Sequence, residues 1–252
     1  MTTAQRPMMA TVTATRSLTE RMVRITLAGE ELHSFAHVGP DQLVRLFLPT
    51  GPGAPPLPAT SDWWPELCAM PEATRPVLRN YTVRRHDPVR RELDIDFVLH
   101  GHGLESGPGS TWAAGAAPGD RIGVLSDGAD YAPPADTTWQ LLVGDEAAVP
   151  AIAAILEQLT CPAVVLIEVA DALDELPLAI PPGTSVSWLH RRDAVRGEPA
   201  VAAVRALELP EGVPYVWVAG ESALATGVRR HLVKDRGLAK ERIYFCGYWR
   251  AG

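Results

Sequence analysis

The sequence predicts two domains, an N-terminal six-stranded antiparallel β-barrel with one short helix and a C-terminal α/β domain on a parallel sheet. Three observations carry this. Short segments of the first half alternate apolar and polar residues, as half-buried strands do, and the second half turns to strands separated by helical stretches. Between the two lies a stretch rich in Gly, Ala, Asp and Pro, residues 127–138, which places the domains at 1–130 and 131–252. A chain of 252 residues is long enough for two modest cores.

Each element has its own signal. Residues 10–16, 21–28 and 42–48 alternate, the second setting Met22, Arg24 and Thr26 against Val23, Ile25 and Leu27. Residues 49–76 are rich in Pro and Gly, carry the pair Trp63-Trp64, and read as a surface excursion. Strands resume at 78–85 and 92–100, a short helix is expected at 110–114, and Pro118-Gly119-Asp120 turns the chain into a sixth strand at 121–125. Beyond the boundary, Gln140 to Gly144 reads as a buried strand. Asp145, Glu146 and Pro150 open a helix whose apolar face is Val149, Ile152, Leu156 and Leu159. Strands at 163–169, 184–189, 215–219 and 242–245, with helices at 199–207 and 223–234, complete a sheet covered on both faces.

Composition excludes several functions. A net charge of -7 argues against a general nucleic-acid or anionic-membrane binder, so any anionic ligand must be met by local basic groups. Cys68, Cys161 and Cys246 lack disulfide, C-x-x-C or iron–sulfur spacing, and the histidines lack metal-ligand spacing. No apolar leader and no membrane-length apolar run is present, so a cytoplasmic protein without a membrane span is expected.

The most informative segment is Leu78-Arg79-Asn80-Tyr81-Thr82-Val83-Arg84. Arg79 offers a planar fork of donors to phosphate. Tyr81, two residues on and therefore on the same strand face, offers a ring to a flat heterocycle, and Thr82 offers a hydroxyl to its edge. Downstream, Gly107-Pro108-Gly109-Ser110 opens the short helix, whose first backbone N–H groups suit a diphosphate. This set fits a flavin dinucleotide. In the second half, Gly144-Asp145-Glu146 and Gly220-Glu221 stand where strands run into helices, the place for a nucleotide in a parallel sheet; neither matches G-x-G-x-x-G, and each glycine also reads as a sharp turn.

The combination resembles the siderophore-interacting protein family, flavoproteins of the ferredoxin-reductase-like superfamily. The motifs are Arg79 to Arg84, Asp94 to Gly101, Gly107 to Ala113, Gly144-Asp145-Glu146 through Pro150, and the ending Gly247-Tyr248-Trp249-Arg250-Ala251-Gly252. The resemblance implies FAD held by Arg79, Tyr81, Thr82, Val98, His100, Gly107, Gly109 and Ser110. It implies NADH or NADPH at Gly144, Asp145, Glu146, Gly220 and Glu221, and an anionic ferric siderophore drawn in by Arg45 and Arg250. Arg45 stands where the family often has Lys. The implied activity is transfer of electrons from NAD(P)H through FAD to siderophore-bound Fe(III), with no catalytic side chain and no protein-bound metal. A general flavin or ferredoxin-linked reductase and a non-catalytic siderophore-binding flavoprotein are the alternatives, and the chain is expected to be a monomer. His100 reads equally as a structural histidine, Trp249 equally as chain-end packing, and Trp112 as a packing anchor. Donor choice stays open: Glu168 at a strand end opposes a 2′-phosphate, while Arg191 and Arg192 favour one.

Overall fold

The computed structural model describes residues 5–100 and 107–251; Gly101 and Gly252, the ends of two of the motifs above, lie outside this range. The chain divides into two compact units, one up to Ala129 and one from Asp130.

In the first unit, β1 (Met8–Thr19), β2 (Met22–Ala28), β3 (Leu43–Leu48), β4 (Val77–Asp87), β5 (Glu92–Val98) and β6 (Arg121–Gly128) close a barrel in the order β1-β2-β5-β4-β3-β6. Every pairing around it is antiparallel. Alternation dictates which residues enter. Ile25, Leu27, Val44, Leu46, Leu93, Ile95 and Phe97 fill the interior, and each contributes about 1.5–3 kcal/mol by leaving water. Two of the outward residues of β5 are buried carboxylates. Asp96 is held in a fork by Arg24 at 2.6 and 2.8 Å, and Asp94 accepts from Arg85 at 2.7 Å and Thr26 at 2.8 Å.

The excursion at 49–76 is more ordered than its composition suggests, because it contains helix α1 (Trp63–Ala69). The reason lies on the barrel's outer wall, where Phe47 and Leu125 are apolar. Leu57, Trp63 and Leu67 cover them, and the Trp63 ring meets Phe47 edge-on at 5.9 Å.

The second unit is a five-stranded parallel sheet of β7 (Trp139–Asp145), β8 (Ala163–Val169), β9 (Thr184–His190), β10 (Pro214–Glu221) and β11 (Ile243–Trp249), in the order β11-β10-β7-β8-β9. The chain runs outward from β7 to β9 and then crosses to the other side of β7. The switch point therefore lies between β7 and β10, where open α/β sheets bind ligands beyond the carboxyl ends of their strands. Helices α4 (Glu198–Ala206) and α5 (Ser222–Lys234) share a core with Leu141, Val143, Val216 and Val218. Helix α3 (Val149–Leu156) lies on the opposite face against Gly144. It is buried on all sides, not along one stripe, and it stops before Leu159. Strand β11 continues past 245 through Trp249, so much of the Tyr-Trp-Arg ending is sheet.

Candidate functional site

The barrel site is built around the first half of β4. Its ladder with β5 begins only at Val83, so residues 77–82 pair with β3 on one edge and with no described strand on the other. The interruption coincides with a register shift between Val83 and Arg85. Helix α2 (Pro108–Gly115) follows β5 and supplies the neighbouring surface.

Tyr81 leans inward, its ring centroid 4.2 Å from that of Phe97, which in turn contacts Trp112 at 5.6 Å. Burial pushes its phenol up to about 12, against the pull of the nearby Arg79 guanidinium, so Tyr81 is neutral and its ring is a fixed aromatic face. Gly109 lies directly under its hydroxyl; a Cβ there would run into Tyr81 Oη. Arg79 is exposed and, among the described residues, donates only to the carbonyl of Leu78, at 2.7 Å. Thr82 is 5% exposed, yet its hydroxyl has no hydrogen-bond partner among the described residues. Strand parity puts it on the face opposite Tyr81.

Helix α2 begins at Gly107 with no side chain on its first amides among the described residues. Proline at its first position removes one donor and leaves the others free for a ligand. Ser110 is spent differently. Its hydroxyl receives the His100 N–H at 3.0 Å and donates to the His100 carbonyl at 3.2 Å, tying the end of β5 to the helix. The exposed His100 ring approaches Gly107, where a Cβ would come within 3.3 Å of it. Val98 closes β5 and is half-buried. An open strand edge, an aromatic face, an exposed guanidinium and, among the described residues, an unpartnered hydroxyl and an uncapped helix start together fit a flavin dinucleotide.

In the second unit the two predicted corners meet. Gly144 pairs with Ala219 across the switch point, and the Glu221 N–H donates to Asp145 Oδ2 at 2.7 Å. Both glycines serve close packing. A Cβ on Gly144 would press on Ile152 at 3.1 Å, and one on Gly220, whose φ is +136°, would meet the Asp145 carboxylate at 2.7 Å. Three carboxylates at three strand ends cap helix or turn starts, Asp145 and Glu221 those that follow their own strands and Glu168 the start of α4 after β9. Asp145 accepts from Ala147 N–H at 2.9 Å, Glu168 from Gly197 and Ala200 at 2.8 and 3.2 Å, and Glu221 from Leu224 at 3.2 Å as well as from Ala223. Glu168 is fully buried and also bound to Arg191 at 3.1 Å; Arg191 reaches Glu146 at 2.7 Å. Arg191 is thus committed, whereas Arg192 is exposed and makes no side-chain contact among the described residues.

Of the two remaining candidates, one lies in each unit. Arg45 faces outward from β3, paired with Asp127 at 2.5 Å and lying over the Trp63 ring at 5.4 Å. Arg250 is exposed just beyond β11. Residue types alone did not disclose the bond from Trp249 Nε1 to Asp145 at 2.8 Å, nor Arg196 over the Trp249 ring at 5.2 Å. The available signal was the recurrence of an acidic residue at the carboxyl end of β7, β8 and β10.

Barrel and switch-point sheet together define a two-domain flavin reductase architecture. Residues 11–131 match the model of the siderophore-interacting FAD-binding domain, and residues 137–252 match that of the siderophore-interacting protein. The chain is 34% identical over 246 residues to the ferric vibriobactin reductase ViuB of Vibrio cholerae, covering 93% of this chain and 86% of that one. It is 33% identical over 234 residues to the NADPH-dependent ferric-chelate reductase of Escherichia coli, covering 90% and 87%. Among solved structures, a siderophore utilization protein from T. fusca superposes with a TM-score of 0.84 at 37% identity, covering 98% of this chain and 93% of that one. The chain belongs to the siderophore-interacting protein family.

Proposed function

We infer that this chain is an FAD-dependent ferric-siderophore reductase that uses NAD(P)H. The observation that carries the reading is the barrel cradle, in which Tyr81, Gly109 and the uncapped start of α2 lie beside the open edge of β4. When bound, FAD supplies the conversion of two-electron donor oxidation into single-electron reduction of Fe(III), and Fe(II) is held less tightly by the same hard oxygen ligands.

The protein's part is orientation and charge. Arg79 and the first amides of α2 hold the diphosphate, Tyr81 backs the ring, and the unpartnered Thr82 hydroxyl meets the ring edge. Val98, His100, Gly107 and Ser110 shape the same surface, with Ser110 acting as the clamp that fixes its two sides. Arg250 attracts the anionic chelate. Arg45 contributes only as far as it can share itself with Asp127, because a paired guanidinium attracts less than a free one.

At the sheet, Gly144, Asp145, Glu146, Gly220 and Glu221 form the floor of the donor site, and NADPH is the proposed donor. An NADH site uses an exposed acidic residue on the ribose 2′-hydroxyl, and here the strand-end acid, Glu168, is buried and neutralised by Arg191. Arg192 and Arg196 are exposed beside it and suit a 2′-phosphate. The relative named as NADPH-dependent supports this choice. No described helix is long and apolar enough to cross a membrane. A cytoplasmic monomer is the proposed working form.

The test is an anaerobic titration of the purified, FAD-loaded chain. NADPH should bleach the flavin absorbance, and a ferric siderophore should restore it with formation of Fe(II). A chain that neither carries nor accepts FAD would overturn the assignment.

A further inference from the structure

At the switch point a single carboxylate fastens three separate pieces of chain. Asp145 is 2% exposed, and its oxygens accept from the Ala147 N–H ahead of α3, the Glu221 N–H at the end of β10 and the Trp249 indole N–H at the end of β11. The carboxylate is spent on these three donors, and Gly220 lies against it. Trp249 is the least secured of the three pieces in sequence terms, lying almost at the chain end, yet it is held twice more. Its carbonyl accepts from Ser222 Oγ at 2.9 Å, and Ala251 N–H reaches Glu221 Oε1 at 3.3 Å. The indole so fixed carries the Arg196 guanidinium on its face.

We propose that Asp145 is a positioning residue: its ionised carboxylate sets Trp249 and Arg196 as one wall of the donor site, so donor affinity depends on its protonation. This rests on the donor assignment above. An ionised carboxylate accepts from all three N–H groups. Protonation removes the charge that strengthens all three bonds and sets an O–H donor among three N–H donors, which weakens the bonds to the protonated oxygen.

The surroundings set where this happens. Glu146 faces Asp145 from the following turn, itself bound by Arg191 and within 3.8 Å of Arg196. Glu168 pairs with it from β8 and is bound by Arg191. Glu221, from β10, turns its carboxylate to α5 and Ala251. Helix α3, on the remaining side, presents only apolar residues. Burial, and then the Glu146 charge, push Asp145 up to about 7 against its three N–H donors. The clamp is therefore complete above neutrality and loosens below it.

The test uses the FAD-loaded chain. The Trp249 indole Nε1–H resonance, assigned by its absence in Trp249→Phe, should titrate with a midpoint near neutrality and be shifted throughout in Asp145→Asn. At about pH 8, Asp145→Asn should raise the donor KM about tenfold, the worth of one hydrogen bond to a charged group, with kcat little changed. The wild-type KM should climb toward the variant's value as the pH falls, and the variant's should stay flat. Should Asp145→Asn fail to fold, Trp249→Phe should give the same raised, pH-insensitive KM. An indole resonance that does not move between about pH 5 and 9 in the folded protein would overturn the clamp. A wild-type KM in both variants would overturn the positioning role. If the chain oxidises neither NADH nor NADPH, the donor reading and this role fall together, while the indole resonance still judges the clamp.

Discussion

Helix α2 of the barrel domain begins at Gly107 with no described side chain on its first amides, whereas the turns after β7, β9 and β10 of the sheet domain each begin under a carboxylate of the preceding or a neighbouring strand. Both domains place helix starts where phosphate-bearing ligands are expected, but only the first leaves its positive end available. In the second, Asp145, Glu168 and Glu221 occupy that position permanently. The difference teaches how one chain handles two dinucleotides. In the proposed reading, a tightly held cofactor takes the backbone site, and a donor that must leave each cycle is met by the guanidinium groups of Arg192 and Arg196, the latter lying over the Trp249 ring.

Substitutions that close an open helix start or open a closed one can break this contrast. Gly109→Val should have the largest effect. Its side chain must displace Tyr81 from under the ring, so FAD should be lost on purification, a penalty of about 3 kcal/mol or more as for a strongly overpacked core. Arg79→Ala should weaken FAD by about 2 kcal/mol, the worth of a charge-assisted contact, and flatten the salt dependence measured by titration calorimetry.

In the sheet domain the corresponding change should act on stability. Glu168→Gln removes the charge that both caps α4 and pairs with Arg191. It should lower unfolding free energy by about 1–3 kcal/mol in denaturant melts while leaving FAD affinity untouched. Arg192→Ala should have the smallest effect, raising the NADPH KM by roughly 1 kcal/mol, about fivefold, with little change for NADH in steady-state kinetics.

Much of the fold was legible because alternation and strand–helix rhythm are local signals. The six barrel strands and five sheet strands follow from residues such as Val23, Ile25 and Leu27 or the apolar run at 163–169. Helix α1 escaped notice because its cause is distant: Phe47 and Leu125 need a cover, and Trp63 and Leu67 provide it from a stretch whose own composition favours turns. The extent of α3 was misjudged for a related reason, since a helix buried on every side has no stripe to count.

The arrangement of the candidate residues was legible in part. Arg79, Tyr81 and Gly109 announce themselves by type and spacing, and the contact of Tyr81 Oη with Gly109 joins two motifs that the sequence sets far apart. The use of Asp145, Glu168 and Ser110 within the protein was not legible. Whether a polar side chain faces a ligand or its own backbone depends on which amide the fold brings to it. Ser110 meets the backbone of His100 and Asp145 meets Trp249 only through tertiary packing.

The most direct measurement of the central claim is FAD affinity by titration calorimetry on four proteins: the wild type, Gly109→Val, Arg79→Ala and Glu168→Gln. The account predicts that the first and last bind FAD alike, that Arg79→Ala binds about thirtyfold more weakly, and that Gly109→Val does not bind. Equal affinity in all four, with the variants folded, would contradict the claim that the bare start of α2 under Tyr81 is where the flavin is held.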